Sequence, residues 1–276
     1  MSSFARSAAV LNAVEENLWS QWSQFGRGPG CTLYESQGAL WFDTPISVPP
    51  YNLVIRFRGP QDCGALVDRI FAHFGARGVS HNWVLHPSFS PSDLDRRLNA
   101  KGHENVEPLA GMAMDLSEVP REPPTLPGIE IHEVTPGHDF APFLEFVAYR
   151  WHVPPEAKPH LTGIATTLRL GEENSPNRAW IAVKDGVALA KMVTHEERGE
   201  LGPRSVGLYG AATREEARGQ GLASLLVIHA LQAARERGHK LAVLHSTPMA
   251  HDCYAKIGFQ DVGTFHLFAK PGTFHA

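Results

Sequence analysis

A glycine-bearing turn at residues 216–226 carries the clearest chemical signal in the sequence. The segment reads EARGQGLASLL, so Arg218 precedes Gly219 and Gly221, and a leucine-rich helix follows directly. The first turn of a helix has unpaired N–H groups and a partial positive charge, and phosphate is the usual anion bound there. Glycine removes the side chain that would keep a phosphate away from the backbone. The pattern therefore predicts a site for a phosphorylated ligand, to which Arg218 adds a fixed positive charge.

Two common phosphate-binding motifs do not fit this turn. A P-loop requires GxxxxGK[ST], and the lysine is absent. A dinucleotide-binding turn requires GxGxxG, whereas Ser224 stands in the last place and the surrounding order of elements is different. The pattern that the turn does match is Arg218-x-x-Gly221-x-Ala223.

That pattern resembles the Q/R-x-x-G-x-G/A loop of the GNAT superfamily of acyl-CoA-dependent N-acyltransferases. The segment Tyr254–Phe259, YAKIGF, is similar to the Y-x-x-x-G-F signature of the same family. Both motifs occur in the family's order, and the resemblance covers about residues 129–270. It implies an enzyme that moves an acetyl group from acetyl-CoA to the amine of a small metabolite or amino-acid-like acceptor, by direct transfer in a ternary complex.

The resemblance also implies which residues contact the cofactor. In the family, the loop holds the pyrophosphate of coenzyme A, and the preceding strand binds the acyl and pantetheine part through backbone amides. The expected cofactor-binding residues are Ala211, Ala212, Thr213, Arg218, Gly219, Gln220, Gly221, Leu222, Ala223 and Ser224. Gly210 would permit a bulge in that strand, and an amide near Ala211 would be the donor to the oxyanion.

Two residues are expected to be catalytic. Tyr254 is the expected general acid for the departing thiolate, because a neutral phenol with a reference pKa of about 10 can donate at neutral pH. His245 is the candidate general base, since an imidazole titrates in the right range; a polar residue at a strand end is the equal alternative. Ser246 could support a water relay, and Tyr209 and His195 are further candidates. The family often moves this proton through water without one defined base.

The acceptor is expected to lie against the connection between the first two helices of the second half. Trp151 and His152 are the predicted lining residues, with Tyr209 from the strand before the glycine turn. Glu145 or Glu156 could hold an amine by charge, although a solvated surface position is the alternative for both.

Strand and helix patterns in the second half indicate how these residues are positioned. Alternation and apolar periodicity predict strands at 129–134, 179–183, 187–193, 206–212, 240–245 and 259–268, and helices at 139–151, 222–237 and 248–257. Asp185-Gly186 predicts a hairpin, and Gly238 predicts a left-handed helix end. This order indicates an α/β (α+β) fold around a mixed, mostly antiparallel sheet.

The first half contains a weaker copy of the same order. The segment Gln61–Leu66 follows an apolar strand and opens a helix, with a glycine at the position that matches Gly221. Leu66 replaces the small residue beside the phosphate, and Leu98 replaces the tyrosine of the second motif. We infer an internal repeat whose first lobe is degenerate and inactive.

The predicted domain organisation follows from a proline-rich seam. Four prolines fall within eight residues between 120 and 127, and such a stretch continues neither a helix nor a central strand. We expect a degenerate GNAT-like lobe at 1–118, a linker at 119–128 and a catalytic GNAT lobe at 129–276, each lobe a mixed, mostly antiparallel sheet flanked by helices.

The composition limits the classes of partner that the protein is expected to bind. The 276 residues are 43% hydrophobic and 20% charged, with a net charge of −4 at pH 7, so no general attraction to nucleic acid or to a membrane is expected. Cys31, Cys63 and Cys253 form no CxxC and no metal-ligand spacing, so no metal is expected and a cytoplasmic location fits. The N-terminus resembles no signal peptide. A homodimer is left open.

Two alternatives remain. The donor could be a longer acyl-CoA, a carrier-protein thioester or an aminoacyl-tRNA, the last of which the net negative charge disfavours. The chain could also be a non-catalytic acyl-CoA-binding protein, against which the presence of Tyr254 argues. No motif identifies the acceptor.

Overall fold

The computed structural model describes Phe4 and residues 7–36, 38–197 and 205–273. These described residues form eleven strands and seven α-helices. The strands are β1 Thr32–Glu35, β2 Ala39–Asp43, β3 Leu53–Phe57, β4 Asn82–Leu85, β5 Glu104–Asp115, β6 Glu130–Glu133, β7 Asn177–Lys184, β8 Val187–Glu197, β9 Ser205–Thr213, β10 Leu241–Ser246 and β11 Gln260–Ala269. The helices are α1 Ala8–Ser23, α2 Gly64–Arg77, α3 Leu94–Ala100, α4 Phe140–Arg150, α5 Lys158–Thr167, α6 Leu222–Glu236 and α7 Pro248–Ile257.

Internal contacts divide the chain into two compact units that are not its two halves. Unit 1 comprises the described part of Met1–Gln21, then Ala110–Arg150 and Leu168–Gly263. Unit 2 comprises Trp22–Leu109, Trp151–Thr167 and the described part of Thr264–Ala276. Most of α1 and the end of β5 therefore belong with most of the second half of the chain.

This division differs from the predicted lobes at 1–118 and 129–276. The predicted linker at 119–128 lies wholly inside unit 1. There the side-chain amide of Gln232 on α6 donates hydrogen bonds to the carbonyl oxygens of Pro120, at 2.7 Å, and Arg121, at 2.9 Å. The proline-rich segment is thus attached to α6, and no boundary between the units falls in it.

The sheet of unit 1 has the strand order β5-β10-β9-β8-β7-β6. Only β9 and β10 are parallel, and α6 connects them. On one face α6 buries Leu222, Leu226 and Leu231 against the sheet. On the other face α4 buries Phe143 and Phe146 against β7 and β8.

The sheet of unit 2 has the order β1-β2-β3-β4-β11. Here β3 and β4 are the parallel pair, and α2 connects them. Trp41, Phe57, Phe74 and Trp83 fill the core between α2 and the sheet.

The two series of elements repeat the same order. The series β3-α2-β4-α3-β5 is followed later in the chain by β9-α6-β10-α7-β11. Each series ends in a strand that pairs with the parallel pair of the other series, because β5 pairs with β10 and β11 pairs with β4. The prediction of two lobes, each a mixed and mostly antiparallel sheet with flanking helices, is confirmed.

Local predictions agree with the structure where sequence punctuation is strong. Helix α7 has the predicted bounds, Pro248–Ile257. Asp185 and Gly186 form the hairpin turn with φ of 49° and 76°, and Gly238 ends α6 with a left-handed φ of 87°. Across the described residues, no helix combines the length and hydropathy that a membrane crossing requires.

Candidate functional site

Strands β9 and β10 separate in the middle of the unit 1 sheet. Their parallel pairing runs from Ser205 opposite Leu241 to Leu208 opposite Leu244. Beyond that point β10 continues along β5, with His245 opposite Gly111. The two strands therefore open at the end from which the glycine turn follows.

A bulge in β9 accompanies this separation. Val193 of β8 lies opposite Tyr209, and Lys191 lies opposite Ala212, so two residues of β9 occupy the space of one on β8. Gly210 adopts a φ of 57°, a conformation that side-chain-bearing residues rarely take. The predicted bulge at Gly210 is confirmed, and Ala211 beside it is exposed.

The glycine turn has the backbone geometry of an anion site. Gly219 and Gly221 adopt φ of 74° and 85°, and Gly221 is the N-cap of α6. No side chain caps this helix end, and its first turn contains no acidic residue. The N–H groups of the first turn, which have no partners within the helix, can therefore serve a bound phosphate.

The side chains of the turn fit the same ligand. Arg218 is half-exposed, and within the described part of the chain its one ion pair is a long surface contact, 3.8 Å from Glu215. Residues 218–221 are exposed, whereas Leu222 is buried and anchors the start of α6 in the core. The predicted cofactor contacts at residues 211–213 and 218–224 lie on one continuous segment of unit 1. These contacts remain predictions.

The matching turn of the first half is built differently. Helix α2 begins at Gly64 after an N-cap at Cys63, and neither residue has a positive φ. The guanidinium of Arg97 bonds to the carbonyl oxygen of Gln61 at 3.1 Å and lies 3.7 Å from the point where a Cβ on Gly64 would be. A side chain therefore occupies this turn, and Leu98 is fully buried; the inactivity of the first lobe stays a prediction.

Tyr254 lies on α7, is half-buried, and packs against the core that α6 forms with the sheet. Its ring is 5.9 Å from that of Phe259, and its neighbour Cys253 contacts Ser224 of α6 at 3.4 Å between Sγ and Oγ. Burial, and then Cys253, raise the pKa of the Tyr254 hydroxyl to about 12. This hydroxyl therefore keeps its proton at neutral pH and is available as a hydrogen-bond donor.

His245 does not have the acid–base properties that the sequence suggested. Both ring nitrogens are shielded from solvent. Burial lowers the pKa of His245 to about 3, although the carboxylate of Glu15 on α1 acts in the opposite direction. The imidazole does not titrate near neutral pH, which removes the reason for preferring it as the base.

Tyr209 and His195 belong to a buried polar network with α1. The hydroxyl of Tyr209 donates to Oδ1 of Asn17 at 2.7 Å, and Asn17 donates in turn to Ser205 at 3.0 Å. His195 contacts Ser20 at 2.8 Å and Asn177 at 2.9 Å through its two ring nitrogens. These hydrogen bonds give both Tyr209 and His195 a structural role in unit 1.

The remaining candidates are placed as follows. Trp151 and His152 belong to unit 2, in the connection that follows α4; the first is half-buried and the second is exposed with a φ of 50°. Ser246 is buried and donates to the carbonyl oxygen of Thr247 at 2.9 Å. Acceptor contacts by Trp151, His152 and Tyr209 stay predictions.

Two groups were missed by sequence reasoning. Lys191 is 2% exposed and lies opposite Ala212, beside the bulge of β9; its signal was a single charge inside the apolar run Val187–Val193. Near the start of α4, Asp139 contacts His132 at 2.7 Å and His138 at 2.6 Å, and the three side chains are close enough to hold a metal ion. Hydrogen bonds between them account for that proximity.

Comparison with known proteins agrees with this geometry. Residues 144–259 match the family model described as "Acetyltransferase (GNAT) family". A search of curated proteins finds no match to the chain.

Several solved structures share the whole two-lobed fold. A GCN5-related N-acetyltransferase from Kribbella flavida is 18% identical, with a TM-score of 0.65 over 94% of this chain and 96% of its own. One from Sphaerobacter thermophilus is 18% identical, with a TM-score of 0.63 over 97% and 91%. A tandem GNAT protein from the clavulanic acid biosynthesis pathway is 14% identical, with a TM-score of 0.62 over 96% and 95%. At these identities the likeness shows the fold.

Proposed function

We propose that the protein transfers the acetyl group of acetyl-CoA to the amine of a small acceptor, since residues 144–259 match the family model described as "Acetyltransferase (GNAT) family". The transfer is direct, within a ternary complex. The observation that supports this most is the pairing, within unit 1, of the bulge at Gly210 with the uncapped start of α6 after two left-handed glycines. A tight turn alone would not need both features.

The residues of unit 1 have separate tasks in this proposal. Arg218 and the backbone from Gly219 to Ser224 hold the pyrophosphate, and the backbone around Ala211 holds the thioester end. Acetyl-CoA supplies the activated acetyl group. The backbone N–H near Ala211 stabilises negative charge that develops on the carbonyl oxygen. Tyr254 holds its proton where the thiol forms, and its raised pKa makes it a hydrogen-bond donor to the departing sulfur.

Thiol release tests this function directly. We expect free thiol to appear when the protein meets acetyl-CoA together with one or more members of a primary-amine panel: free amino acids, ethanolamine, spermidine, glucosamine and kanamycin. The amine-free reaction measures hydrolysis. Transfer is established when mass spectrometry finds the amine heavier by one acetyl group.

The same assay separates the alternatives. Release only with a longer acyl-CoA would change the donor. Binding of acetyl-CoA without thiol release from any donor or amine would favour a non-catalytic acyl-CoA-binding protein. The acceptor in this proposal is a small molecule. A nucleic acid is not proposed, because a net charge of −4 gives the chain no general attraction to one.

A further inference from the structure

Lys191 is a lysine buried in the middle of a sheet. It lies on β8 between Ile181 of β7 and Ala212 of β9, and its residue is only 2% exposed. The same face of the sheet carries Val193 and packs on Phe146 of α4. Lysine is almost never buried in this way without a partner.

The ammonium form of Lys191 would have nothing to offset its charge. Among the described residues, no hydrogen bond or ion pair involves the side chain of Lys191. Arg150 at the end of α4 is the charged residue that acts on Lys191, and Arg214, which follows β9, has its guanidinium 5.0 Å from the ring centre of Phe146. Burial, and then the like charge of Arg150, lower the pKa of Lys191 to about 7. A large part of the population therefore carries a neutral amine at neutral pH.

The Nζ atom lies against the bulge of β9. A Cβ built on Gly210 would be 3.1 Å from Nζ, closer than nearly all real contacts of a Cβ. Glycine at this position therefore serves two purposes, since it accepts a φ of 57° and leaves room for the lysine. Lys191 thus touches the segment whose backbone is proposed to hold the reacting carbonyl.

Other titratable groups of unit 1 are less suited to accept a proton at this point. His245 and His195 have pKa values lowered by burial to about 3 and about 4. Burial raises the pKa of Tyr209 well above its usual value. Burial, and then Glu16, raise the pKa of Glu197 to about 7, but Glu197 pairs with Ser205 at the opposite end of β9, about 17 Å from the bulge at the usual rise of a strand.

We propose that Lys191 is the general base of the reaction, the group that takes a proton from the acceptor amine at the β9 bulge. This inference rests on the proposed N-acyltransferase function. The acceptor is then an amine that arrives protonated, as alkyl ammonium groups do at neutral pH.

The proton step balances without a further reactant. One N–H bond of the acceptor ammonium breaks, and its electron pair stays on the acceptor nitrogen. The lone pair of Nζ forms the new N–H bond, so Lys191 becomes an ammonium while the acceptor becomes a neutral nucleophile. Lys191 returns its proton to solvent after turnover. Rate should therefore rise as pH rises through the pKa of Lys191.

The first arm of the test measures the titration of Lys191 itself, independently of activity. In protein labelled with 13Cε-lysine, the resonance that disappears in Lys191→Met should titrate with a midpoint near 7. Met fills a similar volume without a charge, and burying an apolar group here should leave the fold intact. The matched control is Lys184→Met, which replaces an exposed lysine at the end of β7 and should leave the titration of the Lys191 resonance unchanged. A midpoint near 10 for Lys191 overturns the proposal.

The second arm measures kcat/KM against pH with the panel amine that is turned over fastest. We expect Lys191→Met to lose about 100-fold and to lose the limb of the profile near pH 7, while Lys184→Met keeps both. Turnover by Lys191→Met at the wild-type rate overturns the base role and leaves the proposed function standing. A higher KM for the amine with kcat and profile unchanged would make Lys191 an anchor for an acidic group on the acceptor, which also overturns it. Absence of turnover by the wild type removes both proposals.

Discussion

Replacing Gly221 by alanine should weaken cofactor binding out of proportion to its effect on stability. Gly221 has a φ of 85°, and among the described residues the only atom within 4 Å of an added Cβ is Cδ2 of Leu126, at 3.9 Å. Packing therefore tolerates a methyl group, and the cost lies in the backbone conformation. The chain supplies a matched control at the other end of the same helix, where Gly238 has a φ of 87° and open space around it.

The two substitutions should destabilise the protein equally. A left-handed backbone costs an L-residue about 1–2 kcal/mol. Alanine also restricts the unfolded chain, which returns about 0.4–1 kcal/mol. Gly221→Ala and Gly238→Ala should therefore each lose about 1 kcal/mol of unfolding free energy, or about 2–4 °C in Tm for a chain of this size class.

The two variants should differ in their affinity for acetyl-CoA, although they lose the same stability. In calorimetric titrations with acetyl-CoA, Gly221→Ala should bind at least about tenfold more weakly, equivalent to about 1.4 kcal/mol, because its methyl group stands where the anion meets the helix. Gly238→Ala should bind like the wild type. Equal affinities in the two variants, at equal loss of stability, would refute the assignment of the phosphate to this turn.

Two further outcomes follow from the same site and from the core behind it. Tyr254→Phe should lower kcat by about 100-fold and leave the Kd for acetyl-CoA unchanged, because only the donor to the departing sulfur is lost; an unchanged kcat removes that role. Burial opposes ionisation of Glu196, but hydrogen bonds from His239 and Arg237 outweigh it and lower the pKa of Glu196 to about 2. Its stabilising contribution is therefore present above its usual pKa, about 4.3, and is lost as pH falls toward 2. Urea unfolding from pH 7 to pH 3 should show a shallower acid loss in Glu196→Gln than in the wild type, and parallel curves would contradict this.

The helices and strands were predictable where residues at their ends, such as proline and glycine, mark the boundary in the sequence. Pro248 and Gly258 bracket α7, and the Asp185-Gly186 turn sets the β7–β8 hairpin. Helix α1 gave no such signal, because it buries Glu15 and Asn17 completely beside apolar residues and so shows no simple apolar stripe.

The division into two units could not be predicted from the sequence, for a different reason. Strands β5 and β11 each complete the sheet of the other series. Pairings over such sequence separations leave no local pattern, so the proline-rich segment at 119–128 was the natural place to expect a boundary. A fragment of residues 129–276 would lack α1 and β5, and would not isolate unit 1.

The candidate site also has features that the sequence predicts and features that it does not. The glycine turn and the bulge at Gly210 could be predicted, because they depend on backbone conformations that glycine favours. The pKa values of His245 and Lys191 could not, since they depend on burial by elements distant in the chain. Lys191 nevertheless left a trace, one cation within the run VALAKMV.

The most direct test of the account is calorimetric binding of acetyl-CoA to the intact protein and to Arg218→Glu. The matched control is Arg169→Glu. Arg218 and Arg169 are about half exposed, 54% and 53%, and each pairs with a glutamate nearby in its own segment, Arg218 with Glu215 and Arg169 with Glu172. We predict micromolar binding by the wild type and by Arg169→Glu, and at least tenfold weaker binding by Arg218→Glu, which places a like charge against the pyrophosphate. Equal binding by all three proteins, or none by the wild type, would contradict the central claim that this turn holds coenzyme A.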